Sequence, residues 1–394
     1  MRKLLLVFSF IAACGVLNSG FAQKIEEIAL RDFTKCSADN KSTGYATPCK
    51  DALASTDVAK ALALSAKQNF SLHIEGDTLL LAAKVVSGDI QYAGKPYLCC
   101  DIQAYLDPIA DGIYAAKFRW KEMDKSLLEL SLMNVAQPSS RSITYNGSGQ
   151  FPDPLSNTDK SVLKNAGMEL TEHAFEINQE FGMRKVTVIK GDACLLSVAP
   201  CQVIYTADGK SLEFMVKSAL LDKRDLSRFV FVGIHTSEDK EHAISIRIEE
   251  LLFGYNPARY DAFMHFVTVT LVQQIERQAA PLARYSAGYS NGGAWALDML
   301  LDKPDIFSGA IIMSPAQWKS RTDTRLPARR VFVGAGQLET SFHVNAHTVT
   351  TNLRARGALV QETYVPSGHS MNTWSNVWSR SLLALSQDAP VQRP

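Results

Sequence analysis

The order of apolar and polar positions divides the chain into two textures. Asp51 to Ala66 is rich in Ala and Leu and predicts a short helix. From Phe70 the pattern alternates. Phe70-Ser71-Leu72-His73-Ile74 comes first, then Thr78 to Ala83 beyond a Gly-Asp turn, then Tyr97 to Tyr105, Gly112 to Trp120 and Leu127 to Leu132. Strands of this length, spaced about ten residues apart with Gly, Pro and Asp between them, predict a small β-sandwich. Residues 136–160 are loaded with Ser, Asn, Pro, Gly and Asp and read as a linker or long loop. Beyond residue 165 the rhythm changes. Val186 to Ile189, Val203 to Tyr205 and Phe229 to Gly233 are apolar runs of the buried-strand type, and Asp261 to Arg277 repeats apolar residues near a helical period. Strands alternating with helices predict a mostly parallel, doubly wound sheet over residues 161–394, following a β-rich unit over 23–160. No internal repeat is visible.

Composition narrows the class. Of 394 residues, 46% are hydrophobic and 21% charged, enough for sizeable cores and unlike a disordered or collagen-like chain. Lys and Arg number 41 against 40 Asp and Glu, so no global basic field points to nucleic acid. Residues 1–22 read as an export signal. Met1-Arg2-Lys3 is a positive start, and the ten-residue run Leu4 to Ala13 is too short to cross a hydrocarbon core of about 30 Å. Its exit has two readings. Gly20-Phe21-Ala22 suits plain cleavage before Gln23, and Ile11-Ala12-Ala13-Cys14 suits a lipobox that leaves Cys14 lipidated. The first gives a periplasmic or secreted protein. The second tethers it to a membrane. Nothing else in the chain spans one.

Cysteine usage fits export. Removal of Cys14 leaves Cys36, Cys49, Cys99, Cys100, Cys194 and Cys201, an even number that reads as disulfides. Cys194 with Cys201 and Cys36 with Cys49 could each close a short loop. The adjacent Cys99 and Cys100 point to opposite faces of a strand, each toward a distant partner. No Cys-x-x-Cys unit occurs and no His neighbours these residues, so no metal site is expected.

Gly288-Tyr289-Ser290-Asn291-Gly292-Gly293 matches the nucleophile elbow G-x-S-x-G. Residues 282–287 before it are strand-like, and Gly293 to Leu301 after it is a good helix ending before Pro304. Gly288 and Gly292 sit where side chains would meet neighbouring backbone. Ser286 falls inside the strand and takes no role. In such folds the partners follow in the order Ser, acid, His. The strand Val331 to Gly336 leads to Glu339. Asp298, Asp302 and Asp305 are too near the elbow helix, Asp323 lies in a polar loop, and Glu362 lies inside the next strand. Gly334-Ala335-Gly336 lacks the third glycine of a dinucleotide loop, because Glu339 occupies that place. His343 and His347 fall on a helix from Ser341 to Arg356 and read as surface or capping residues. His369 follows the strand Val360 to Val365 in a loop and is the expected base. His73, His173, His235, His242 and His265 precede the serine and read as structural. No cofactor is called for.

Residues 180–385 resemble the esterase D-like, enterochelin esterase-like branch of the α/β-hydrolases, which includes enterochelin esterases, feruloyl esterases and mycolyltransferases. The landmarks occur in order: Val203 to Gly209, a hydrophobic strand ending in Asp-Gly; Phe231 to His235; Arg247-Ile248-Glu249-Glu250-Leu251; the Ser290 elbow; Gly336-x-x-Glu339; and Gly368-His369 with Trp374 beyond. The first half resembles, less specifically, the Ig-like domain that precedes the hydrolase domain in enterochelin esterases. The resemblance implies a Ser290, Glu339 and His369 triad and an oxyanion hole from the backbone N–H groups of Lys210 and Asn291. Two positions depart from it. Ser370 stands where the family often has Asp, and Leu271-Val272-Gln273-Gln274-Ile275 replaces a Leu-Ile-Pro stretch. Arg247 and Glu250 read as a structural i,i+3 ion pair on a helix surface.

Three function classes follow. The first is an exported serine hydrolase acting on a small-molecule carboxylic ester. The second is an acyltransferase with the same triad, and the third a binding protein on a hydrolase scaffold. Ala316 to Arg330 holds Trp318, Lys319, Arg321, Arg325, Arg329 and Arg330. Over the mouth it would favour acidic or phenolic acyl groups; otherwise it is a solvated basic loop, the more ordinary reading.

Overall fold

The computed structural model describes residues 49–90, 94–120, 123–135, 142–147, 161–196, 200–237, 242–277, 281–318 and 322–387. The expected export signal, Cys14, Cys36 and most of the 136–160 linker lie outside them. The chain forms two compact units. One comprises the described residues before 152 together with two short returns, 336–340 and 365–373. The other holds the rest.

The first unit contains two antiparallel sheets. One has the order β1 (Cys49–Asp51), β7 (Ile113–Arg119), β3 (Thr78–Lys84), β2 (Phe70–Glu75), with β6 (Asp107–Ala110) also pairing β7. The other has the order β5 (Ala104–Tyr105), β4 (Tyr97–Cys100), β8 (Leu127–Leu132), β9 (Ser142–Asn146). Leu79, Leu81, Ala116 and Phe118 from the first sheet share one core with Leu98, Ala104, Leu128 and Leu130 from the second. Their inward alternation is the period-2 pattern read from the sequence. Leu338, on the first return, is buried in the same core. Three expectations need correction here. The helix is α1 (Ser55–Ser65), because Cys49–Asp51 pairs with Arg119–Lys117 as a strand. The 97–105 run is two strands. The supposed linker contains β9, whose Ile143 pairs with Leu130 despite its polar neighbours.

The second unit is built on an eight-stranded sheet. Its strands are β10 (Glu169–Asn178), β11 (Gly182–Lys190), β12 (Gln202–Thr206), β13 (Phe229–Ile234), β14 (Ala283–Tyr289), β15 (Gly309–Met313), β16 (Arg330–Gly336) and β17 (Leu359–Val365). Their spatial order is β10-β11-β13-β12-β14-β15-β16-β17. The first two pairings are antiparallel, and those from β13 through β16 are parallel. This is a mixed, mostly parallel α/β sheet, in keeping with the doubly wound class expected from the sequence. The strand order reverses where β12 meets β14, and ligands in open α/β sheets gather beyond the carboxyl ends of strands at such a switch point. The Asp208 turn follows β12 there, and the Ser290 elbow follows β14.

The helices of this unit are α2 (Ser161–Asn165), α3 (Asp192–Leu195), α4 (Leu212–Leu221), α5 (Ala243–Leu251), α6 (Pro257–His265), α7 (Val272–Ile275), α8 (Asn291–Asp302), α9 (Thr340–Ala355) and α10 (Met371–Ser386). The helix expected over 261–277 begins earlier, with Pro257 in its first turn and Asn256 accepting the Arg259 N–H at 3.2 Å. It is interrupted by a π segment, Phe266–Leu271. Phe263, Phe266, Val267 and Leu271 still face the core, joined by Trp295 and Leu300 of α8. Cys194 and Cys201 form a disulfide. Cys49 is also disulfide-bonded. Cys99, expected to find a distant cysteine, is instead a buried thiol whose register partner on β8 is Ser131.

Candidate active site

Ser290 follows β14 and caps α8 at φ 57, ψ −121. A non-glycine residue held there stores about 1–3 kcal/mol of strain, and such strain clusters at functional sites. Hydrogen bonds hold the turn: the Ser290 N–H donates to Met313 O at 3.0 Å, and the Ala316 N–H donates to Ser290 O at 2.9 Å. The glycines are dictated by space. A Cβ on Gly288 would lie 2.3 Å from Gly292 O, and one on Gly293 would lie 2.8 Å from Met313 O. Ser290 is buried, and its Oγ accepts and donates no hydrogen bond among the described residues. A serine hydroxyl held ready in a strained turn is what a nucleophile requires. Asn291 opens the twelve-residue helix α8, whose first N–H groups and dipole suit developing negative charge.

The second turn follows β12. Asp208 adopts the left-handed region at φ 57 and leads into the 3-10 turn Gly209–Ser211, which contains Lys210. Arg247 on α5 grips Asp208 with both guanidinium arms, Nε to Oδ1 at 2.6 Å and Nη2 to Oδ2 at 2.6 Å. Burial works against the Arg247 charge, but the Asp208 charge and hydrogen bonds, with a smaller share from Tyr289, together outweigh it and raise the Arg247 pKa. A Cβ on Gly209 would lie 2.5 Å from Gly233 C, and one on Gly292 would lie 3.2 Å from Asp208 Oδ2. The Lys210 turn and the elbow therefore abut, while the Lys210 side chain is exposed.

This geometry corrects the i,i+3 reading of Arg247 and Glu250. Both are buried and turned to different partners, Arg247 to Asp208 and Glu250 to Arg184 of β11 at 2.5 Å. Burial pushes Glu250 up to about 7 against the pull of Arg184 and Arg259. The floor beside the elbow is aromatic. Tyr289 stacks on Trp374 with centroids 3.9 Å apart and donates to or accepts from Ser211 Oγ at 2.8 Å. Burial and the Asp208 charge raise the Tyr289 phenol.

Glu339 and His369 meet in the first unit. His369 Nδ1 lies 2.6 Å from Glu339 Oε2, and both side chains are buried. Glu339 Oε1 accepts the Gly336 N–H at 2.7 Å, so both carboxylate oxygens are engaged. Ser290, Asn291, Gly288, Gly292 and Lys210 belong to the second unit. His343, read as a surface or capping residue, is instead buried, its ring 4.5 Å from that of Tyr364. His235, read as structural, is buried with Nε2 2.7 Å from Thr187 Oγ1. In the basic segment, Arg325, Arg329 and Arg330 donate to the carbonyls of Ala355, Pro304 and Ala384. They fasten the chain to itself. Among the described residues no group of three or more His, Cys, Asp or Glu could hold a metal ion.

One residue at this site has no signal in the sequence. Asp101, in the first unit, reaches the His369 loop from 267 positions away.

No protein of curated function matches the chain by sequence. Among solved structures it is similar to the enterobactin esterase of Shigella flexneri determined in the presence of enterobactin, with TM-score 0.57 and 13% identity over 82% of this chain and 97% of that one. It is also similar to an enterochelin esterase structure from Shigella flexneri, with TM-score 0.55 and 14% identity over 91% and 99%. At such identities the likeness concerns the fold. The model of the family described as putative esterase matches residues 197–387, which span the Asp208 turn, the elbow and the Glu339 and His369 loops. Residues 197–387, a little under half of the chain, match the putative esterase family, and the region is that of a carboxylic-ester hydrolase.

Proposed function

We propose that hydrolysis runs through an acyl-enzyme on Ser290, with His369 as general base and Glu339 as its orienting acid. The observation that carries this reading is the strained Ser290 turn at φ 57, heading α8 with its hydroxyl uncommitted. The His369–Glu339 hydrogen bond of 2.6 Å supports the other half. His369 Nε2 takes the Ser290 proton as Oγ attacks the ester carbonyl. Glu339 accepts from Nδ1, fixes the tautomer and stabilises the imidazolium. The N–H groups of Asn291 and Lys210 receive the oxyanion. His369 then gives its proton to the leaving alcohol, and water attacks the acyl-enzyme by the same route in reverse. The substrate is a small-molecule ester. The enterobactin in the similar Shigella flexneri structure makes siderophore lactones the first class to assay, beside feruloyl and simple acyl esters.

The N-terminal unit is read as Ig-like and the protein as exported, through plain cleavage before Gln23 or lipidation at Cys14. The mass of the mature protein separates the two. The test of the reaction is labelling by a fluorophosphonate probe together with turnover on an ester panel. Ser290→Ala abolishes labelling and lowers kcat by about 10⁴ or more. Parent-like turnover in that variant overturns the triad.

A further inference from the structure

The loop that carries His369 is held by a carboxyl group from the far end of the chain. Asp101 follows β4 and is buried. Its Oδ1 accepts the Gly368 N–H at 3.0 Å, and its Oδ2 accepts the Ser367 hydroxyl at 3.2 Å. The Ser370 hydroxyl also bonds to this carboxyl. The residues before and after His369 are thus tied to one side chain. From the opposite side the Glu129 N–H donates to Oδ2 at 2.5 Å, and the Asp101 N–H donates to Glu129 O at 3.2 Å. A neighbouring bond repeats the tie, the Leu127 N–H donating to Pro366 O at 2.9 Å. The approach is so close that a Cβ on Gly368 would stand 2.4 Å from Asp101 Cα.

We propose that Asp101 is a positioning residue for His369, fixing the 366–370 turn so that the imidazole stays in line with Glu339. The inference rests on the reading of His369 as the general base. The Glu339 contact restrains only one ring nitrogen, and a ring can pivot about it. The Asp101 bonds hold the Gly368 N–H before His369 and the Ser370 hydroxyl after it, which limits that pivot. A catalytic group must be held within about 0.5 Å, and a displacement of about 1 Å can cost 10²-fold in rate. The loop is pinned further by the Leu338 N–H on Ser367 O at 3.0 Å and the Thr373 hydroxyl on Gly368 O at 2.6 Å. Those bonds reach only residues 367 and 368. Asp101 alone among these groups also reaches Ser370. Burial and the Glu129 charge push its carboxyl up to about 8, against the bonds from Glu129, Ser370 and Gly368. An asparagine at 101 therefore imitates its neutral form and keeps an acceptor for the Gly368 N–H. It turns an amide N–H toward the Glu129 N–H, however.

The test uses the full chain carrying Asp101→Ala or Asp101→Asn, with Ser290→Ala beside them. Fluorophosphonate labelling rate, kcat and KM for p-nitrophenyl butyrate and the near-UV circular dichroism are measured for each. The expected result is a graded loss. Asp101→Asn lowers kcat and the labelling rate about 3- to 10-fold and Asp101→Ala about 10- to 100-fold, with KM within about twofold. Rates are expressed per titrated Ser290, so loss of folded protein alone leaves them unchanged. A folded Asp101→Ala with both rates within twofold of the parent overturns the proposal. If Asp101→Ala does not fold, parent-like rates in Asp101→Asn overturn it equally. Parent-like turnover in Ser290→Ala would sink the triad instead, whatever the Asp101 variants do.

Discussion

The guanidinium of Arg247 closes on Asp208 with two bonds of 2.6 Å, and Asp208 stands in the left-handed conformation that turns the chain toward Lys210. The pair acts as a clasp on a strained turn. Removing one partner of a buried ion pair costs about 3–5 kcal/mol, because the other charge stays buried and unpaired. Arg247→Ala is therefore expected to lower the urea-unfolding free energy by that amount. Arg247→Lys, which keeps the charge without the planar fork, should recover only part of it. Both variants should also lose kcat, because the turn they loosen carries a proposed oxyanion donor. An Arg247→Ala protein within about 0.5 kcal/mol of the parent would show that the clasp does not hold the turn.

Glu339 gives one oxygen to His369 and the other to the Gly336 N–H. Glu339→Gln keeps the shape, but its amide can take the Nδ1 bond only by favouring the wrong tautomer. The expected consequence is a fall in kcat of about 10⁴ with little change in KM, as in other triads whose acid is amidated. Steady-state kinetics on any hydrolysed ester measures it. A fall smaller than tenfold would mean that Glu339 is not the orienting acid.

The legible parts of this molecule are those whose geometry is local. Gly288 stands before Ser290 because the Gly292 backbone crowds it, a constraint written within five residues, whereas Gly292 meets the Ala207 and Asp208 side chains of the neighbouring turn, which no local pattern shows. Glu339 and His369 follow from strand ends and chain order. The elements misread each lack a local signature. β9 is short, and its two core-packing residues, Ile143 and Tyr145, stand among Ser142, Thr144 and Asn146. β10, which is not among the strands read from the sequence, is an edge strand with Glu169, Glu172, His173 and Glu176 along it, and charged edges hide the usual alternation. The π segment from Phe266 keeps helical apolar spacing, so periodicity cannot separate it from an α-helix. Asp101 and Arg247 act across long sequence separations. Their chemistry appears only when Gly368 and Asp208 are brought beside them.

The Cys194–Cys201 bridge spans a sequence separation of seven and borders the strand β12 that leads to Asp208. Chain-entropy arguments give about 2.5 kcal/mol for closing a loop of this size. Replacing both cysteines by alanine should lower stability by up to that amount. It should leave kcat within about twofold, since β12 is held by β13 and β14 on its two sides. Urea unfolding of the oxidised, reduced and double-alanine proteins measures it. Identical midpoints in all three would remove the bridge from the stability account.

Asp101 also predicts how stability varies with pH. Its folded-state pKa of about 8 lies above the ordinary value of 3.8, so the folded protein binds a proton there that the unfolded chain has released. Where the native state holds more protons than the unfolded one, stability falls as pH rises. The contribution of this group is complete below its ordinary pKa and is lost progressively up to about pH 8. Burial raises the neighbouring Glu129 as well, so it adds a loss of the same sign. Asp101→Asn cannot titrate and should flatten the decline in unfolding free energy between pH 5 and pH 8.5, leaving the share of Glu129. Urea melts of parent and variant at four pH values decide the point. Parallel curves would mean that Asp101 holds the His369 loop as a permanent anion, and that its grip does not change with pH over this range.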